Sequence, residues 1–171
     1  MPRPKGRFHV QSGLARREPG VDNPVSASYE VRMFSDNALV WLHLTANLFW
    51  IGAITAVGAL VLASGTDPKV RGALAAGVYQ KVAAPAFVVS FLAGAARLFS
   101  DTAYYFKATH FMHAKLLFAV IVIGLHHVIG ARAKKLASGE VSDEGPTKAL
   151  LGVLVACAAL AAFTAIFKLP K

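Results

Sequence analysis

The sequence predicts an all-α protein, a four-helix transmembrane bundle. Three observations predict it. Of 171 residues, 56% are hydrophobic and the mean hydropathy is +0.52, more apolar than an ordinary soluble domain. Four apolar runs, 37–63, 82–99, 111–131 and 149–167, are near or above the ~20 residues that cross a hydrocarbon core of ~30 Å. Turn-forming residues separate the runs, as in Ser64-Gly65-Thr66-Asp67-Pro68 and in the Gly139 to Pro146 stretch.

The elements follow in order. Residues 1–35 are polar and interrupted by Pro2, Pro4, Gly6, Gly13, Pro19, Gly20 and Pro24. They read as a disordered tail preceding the transmembrane domain of 36–171. A basic start before an apolar run resembles a signal peptide, but tail and run are both too long for one. The first run is therefore expected to stay as an anchor. In it, His43, Asn47, Trp50 and Ile54 fall at i, i+4, i+7 and i+11, one face of a helix. Gly52, Ala56 and Ala59 make a second stripe whose small side chains suit close helix packing.

Asp67 is placed to cap the next helix, with Pro68 at its first position. A less apolar segment, Lys69 to Lys81, leads into the second span, where Pro85 is expected to kink the helix and Arg97 marks the far end. Tyr104, Tyr105 and Phe106 have the chemistry of an interfacial aromatic belt. The third span reads HFMHAKLLFAVIVIGLHHVIGARAKK from His110 to Lys135. The fourth is mostly Ala, Leu and Val, with no charged group before Lys168, and reads as structural.

The formal net charge is +9. In a soluble chain that would suggest nucleic acid. Here the cations flank apolar spans, so the lipid bilayer with its anionic headgroups is the expected partner, not nucleic acid. Apart from the tail, the two sides carry similar numbers of Lys and Arg, so orientation is not set by them. The single Cys157 excludes an intramolecular disulfide and a cysteine metal cage. No P-loop, nucleotide fingerprint or hydrolase elbow is present.

Ionisable groups inside a span are costly and usually face a bundle interior. Spans one and three run in the same direction, which brings His43, His113 and Lys115 to one membrane face at similar depth. Arg97 arrives there from the antiparallel second span. One or two nitrogen ligands opposite His43, with a cation nearby, is what a haem between helices needs. At ~100° per residue, Lys115 and His126 lie ~20° apart, whereas His113 lies ~160° from Lys115. Spacing alone does not choose between these faces. The same residues have plainer uses. His43 suits a cap near a helix start, Lys115 suits snorkelling, and His110 and His127 suit interfacial contact. Imidazoles also suit copper, although only Met112 among the methionines is near the histidines.

Leu42-His43 followed by Trp50-Ile51-Gly52 resembles two related membrane families. They are the HemJ-type protoporphyrinogen IX oxidases and the copper-resistance protein D (CopD) domain. His113-Ala114-Lys115-Leu116-Leu117 and Gly124-Leu125-His126-His127 resemble the oxidase helix, and the resemblance covers about 40–168. It implies a haem b protein of the bacterial inner membrane. A helix-one His and a helix-three Lys, taken as axial ligands, carry over to His43 and Lys115, with His113 the alternative metal ligand. The implied reaction removes six electrons and six protons from a porphyrinogen substrate to form protoporphyrin IX, and passes the electrons to a quinone or other acceptor. Lys115 and His126 are the expected catalytic pair. Arg97 is the expected partner of the haem propionates. Where the oxidases carry a Pro-Arg pair late in helix one, this chain has Gly58-Ala59; the Trp50-Ile51-Gly52 spacing is similar to the copper family. The alternatives are a copper-handling protein and a non-catalytic membrane subunit; on each reading, the leading one included, a homo-oligomer is a further expected partner.

Overall fold

The computed structural model describes residues 24–108, 111–141 and 145–167. Residues 1–23, most of the expected tail, lie outside them, as does His110. The described residues form α1 (Pro24–Leu62), α2 (Pro68–Val78), α3 (Ala84–Ser100), α4 (Phe111–Ser138) and α5 (Thr147–Phe167). Helix α1 starts in the part read as tail. Between Val25 and Ile51 no Gly or Pro interrupts the chain, so nothing in that stretch resists helix.

Helices α2 and α3 join through a π-helical turn at Tyr79–Ala83. The result is one segment, Pro68–Ser100, which begins at Pro68 as the Asp67 cap predicts and carries the apolar run of 82–99 in its second half. Asp67 caps it, its carboxylate accepting from the Lys69 and Val70 backbone N–H groups at 2.7 and 3.3 Å. Pro85 offers no N–H to the preceding turn. The backbone just before it widens, and the Ala84 N–H reaches back to the Tyr79 carbonyl. The disturbance expected at Pro85 thus takes the form of a π turn.

Four helices are long and apolar enough to cross a membrane: Met33–Leu62, Pro68–Ser100, Phe111–Ser138 and Thr147–Phe167. The protein is an all-α, four-helix bundle of the multi-pass membrane type. Its surface agrees with lipid as solvent. Phe34, Trp41, Leu48, Phe49, Phe99, Val120 and Ile166 are all exposed, and such side chains need no burial where the surroundings are hydrocarbon. The core is a thin seam of Ile54, Val57, Val61, Ile129, Leu136 and Leu154, each almost wholly buried.

Contacts set the register. His43 and Trp50 of α1 meet Ser90 and Phe87 of α3, in reverse order, so these helices are antiparallel. Gly72 meets the backbone of Leu136 and Ala137, and Tyr79 lies on Gly130. Helices α2 and α4 are therefore antiparallel as well. At both glycines a Cβ would collide with the neighbour, so α2 and α4 approach more closely than other residues permit. The Arg71 guanidinium donates to the Ala63 carbonyl and ties the end of α1 to α2. Arg132 Nε donates to Thr147 Oγ1 at 3.0 Å and ties α4 to the start of α5.

The small-residue stripe of α1 behaves differently from its expected packing role. Gly52, Ala56 and Ala59 are exposed, and nothing lies within 4 Å of a Cβ built on Gly52. The close contact of α1 with α5 is made at Gly58, against Leu151.

Candidate functional site

The polar side chains inside the bundle fall into two layers. The first centres on His43. Its ring lies against α3, where a Cβ on Gly94 would sit 2.7 Å from Cε1 and 2.9 Å from Nδ1. Nδ1 is 2.8 Å from the Ser90 carbonyl oxygen. A carbonyl only accepts, so the proton is on Nδ1. Nε2 then carries the lone pair, and it accepts from Asn47 Nδ2 at 3.0 Å. Asn47 sits one turn further along α1, so the helix itself supplies this contact. Lys115 of α4 is half-buried and within electrostatic range of His43.

The other expected members of this site are placed less centrally. His113 is exposed, with its ring edge-on to Phe106 at 5.6 Å. Arg97 stands 3.6 Å from Asp36, donates to Ser100 Oγ at 2.8 Å, and lies 5.7 Å from the centroid of Tyr105. Much of its hydrogen-bonding capacity is thus engaged at the end of α3, although its Nε is buried without a partner.

The second layer centres on His126, which has no exposed surface. Trp50 Nε1 donates to His126 Nδ1 at 3.1 Å. An indole N–H only donates, so Nδ1 must be bare and the proton of a neutral ring is on Nε2. That Nε2 is buried and has no hydrogen-bond partner. The imidazole lies between two rings at shallow angles, Tyr79 at 5.0 Å and Phe87 at 5.2 Å. Trp50 meets it edge-on at 5.8 Å. His127, the next residue, is exposed, and its Nδ1 is 3.4 Å from Tyr79 Oη.

Helical rise separates the layers. From His43 to Trp50 is about 10 Å along α1, and from Lys115 to His126 about 16 Å along α4, at 1.5 Å per residue. Lys115 and His126, expected to act as a pair, therefore belong to different depths of one bundle. Among the described residues no three His, Cys, Asp or Glu side chains converge as a metal cage would require.

Several neighbours of these two histidines have little sequence signature. The Ser90 carbonyl is a backbone group, and Tyr79 sits in a segment read only as less apolar. One signal was available: Ser90 and Gly94, four apart on a largely apolar helix, leave a polar notch where a ring can lie. No known protein family, curated protein or solved structure matches this chain.

Proposed function

We propose that the chain is a haem-binding membrane redox protein of the bacterial inner membrane, acting on a porphyrinogen in the manner of the protoporphyrinogen IX oxidases it resembles. The observation that supports this reading most is the state of His43. A metal-ligating imidazole commonly gives its other N–H to a backbone carbonyl, which fixes ring and tautomer. His43 does this toward Ser90, and its Nε2 lone pair accepts from the Asn47 amide. The residues that would hold a haem are His43, through its Nε2, and Lys115, through its amine as a neutral nitrogen. Bound there, the haem would supply one-electron transfer. The chain's own residues orient the imidazole through Ser90, make room for it at Gly94, and keep water out with the apolar seam beneath. The copper-handling alternative draws less support, because a copper site with several imidazoles needs histidines that converge, and among the described residues no three do.

An absorption spectrum of the purified protein, with a metal assay, tests this. A Soret band together with iron is the expected result. Copper without haem would replace the proposal with a copper-handling function. Neither group would leave a membrane subunit whose polar residues organise the bundle.

A further inference from the structure

The second membrane segment is longer than a bilayer core requires. Pro68–Ser100 has 33 residues, about 50 Å of helix at 1.5 Å per residue, against a hydrocarbon core of ~30 Å. Its apolar run of 82–99 accounts for about 27 Å of that length. Lys81 stands at the head of the run, in the π turn of Tyr79–Ala83, and is exposed. Two residues before it, Tyr79 receives the Lys134 ammonium at 5.3 Å from its ring centroid. Lysines of two antiparallel helices thus mark one level, where hydrocarbon gives way to headgroups.

A groove of about 320 Å³ runs from this level between α1 and the 82–89 stretch. Trp41, Ala46 and Phe49 form one wall, and Val82, Pro85 and Val89 the other. Thr45 and the Trp41 indole are its only polar members. Val82 also lines a second groove, with Gly77, Val78 and Lys81. The two grooves meet at Val82, so Lys81 stands beside the upper end of the first. No Asp or Glu occurs from Asn37 to Leu62 or from Pro68 to Ser100. Neither wall therefore supplies Lys81 with a carboxylate.

We infer that this groove and Lys81 together bind one anionic phospholipid of the bilayer. An acyl chain matches walls that are almost wholly apolar and open to hydrocarbon. A phosphate matches a lysine at headgroup level whose neighbouring helices leave its charge unbalanced. A zwitterionic headgroup brings its own cation and gains less from Lys81. The seated lipid covers the outside of the α1–α3 seam that carries the His43–Ser90 and Trp50–Phe87 contacts. The inference needs only the bilayer and is independent of the haem reading.

Native mass spectrometry of the full chain tests it. The protein is released from nanodiscs holding equal amounts of phosphatidylglycerol and phosphatidylcholine. One retained phospholipid is expected, with phosphatidylglycerol favoured about 5-fold, the effect of a single lysine at the membrane surface. Lys81→Gln should erase that preference, and Lys81→Glu should reverse it. Lys148 begins α5 at the same end of the bundle but on neither wall, so Lys148→Gln should leave the preference intact. Val89→Phe crowds the groove from an exposed position and should cut retention of either lipid roughly 10-fold. The inference is overturned by a chain that retains no lipid, or retains both headgroups equally. Loss of preference in Lys148→Gln as large as in Lys81→Gln overturns it too, since general surface charge would then be the cause. So does undiminished retention in Val89→Phe. A dimer that Val89→Phe splits would assign the groove to a second copy of the chain and overturn it as well.

Discussion

The His43 layer and the His126 layer solve the same problem in opposite ways. Each places an imidazole inside a membrane bundle, where an unpaired polar group is expensive. His43 has its proton on Nδ1, given to the Ser90 carbonyl, and turns a basic Nε2 toward the Asn47 amide. His126 has its Nδ1 held by the Trp50 indole, so its proton is on Nε2, which is buried without a partner. Opposite tautomers mean opposite chemistry. The first ring offers a lone pair and suits a metal. The second offers a buried N–H and cannot ligate through Nε2 without losing that proton. The layers also differ in packing: His43 rests against a glycine, whereas His126 contacts the aromatic rings of Tyr79 and Phe87.

The largest expected effect breaks the first layer. His43→Ala should remove the haem, exceeding the ~100-fold loss that changes to outer-sphere residues reach, and the Soret band is the measurement. Lys115→Ala should retain some haem through His43, with an altered spectrum and little activity. Lys115→Arg should not rescue, because guanidinium stays protonated and offers no lone pair. An unchanged spectrum and activity in Lys115→Arg would make Lys115 a bystander or a cationic neighbour of the propionates.

A smaller effect is expected where the same layer meets α3. Gly94→Ala puts a methyl 2.7 Å from His43 Cε1. The ring must shift, and its bond to Ser90 with it. Haem affinity should fall roughly 10- to 100-fold, as when a ligand's orienting contact is lost. Wild-type affinity in Gly94→Ala would show that His43 does not depend on this seat.

The contrast between layers was only partly legible in the sequence. The spans were legible because hydrocarbon thickness imposes a length on any crossing helix. So was the face of His43, Asn47, Trp50 and Ile54, on which Trp50 and Ile54 are buried. Helical phase places Lys115 and His126 on one side, and in the structure His126 is buried, Lys115 half-buried and His113 exposed. What phase does not carry is depth. The ~16 Å between Lys115 and His126 follows from helical rise, but its consequence emerges only once Trp50 is seen to hold His126 across 76 positions of chain. Tyr79 was obscured for another reason. The π turn before Pro85 shifts the helical phase, so the face that Tyr79 presents cannot be counted from α3. Gly52, Ala56 and Ala59 misled because small residues serve close packing and lipid-facing surfaces alike.

The second layer is tested by Trp50→Phe. Phenylalanine keeps an aromatic ring beside Phe87 and His126 but removes the indole donor. His126 is then left with two unpartnered nitrogens in a buried site, at an expected cost of about 1–3 kcal/mol. Thermal unfolding in detergent measures it. Haem content should change little, because His43 keeps its own partners. If Trp50→Phe loses haem as readily as Gly94→Ala, the two layers act as one site. Replacing both members, Trp50→Phe with His126→Leu, should recover part of the stability, since two apolar partners leave nothing unsatisfied.

The smallest effect concerns the opposite face of α1. Gly52 lies about 3 Å past Trp50 along α1, but it is exposed and a Cβ there would touch nothing. Gly52→Ala should therefore leave haem content unchanged and alter stability only by the helix preference of alanine, a gain of up to about 1 kcal/mol. Gly94→Ala makes the same chemical change at a site where the added methyl meets His43. The pair thus isolates the seat of the first imidazole from glycine's general effect on a helix. Gly52→Leu extends the comparison. In a monomer its side chain enters lipid and costs nothing. If the stripe instead packs against a second copy of the chain, Gly52→Leu will lower the oligomeric mass seen by light scattering in detergent, and Gly52→Ala will do so more weakly. A fall in mass would restore the packing role expected for Gly52, Ala56 and Ala59 and move it from within the bundle to between bundles.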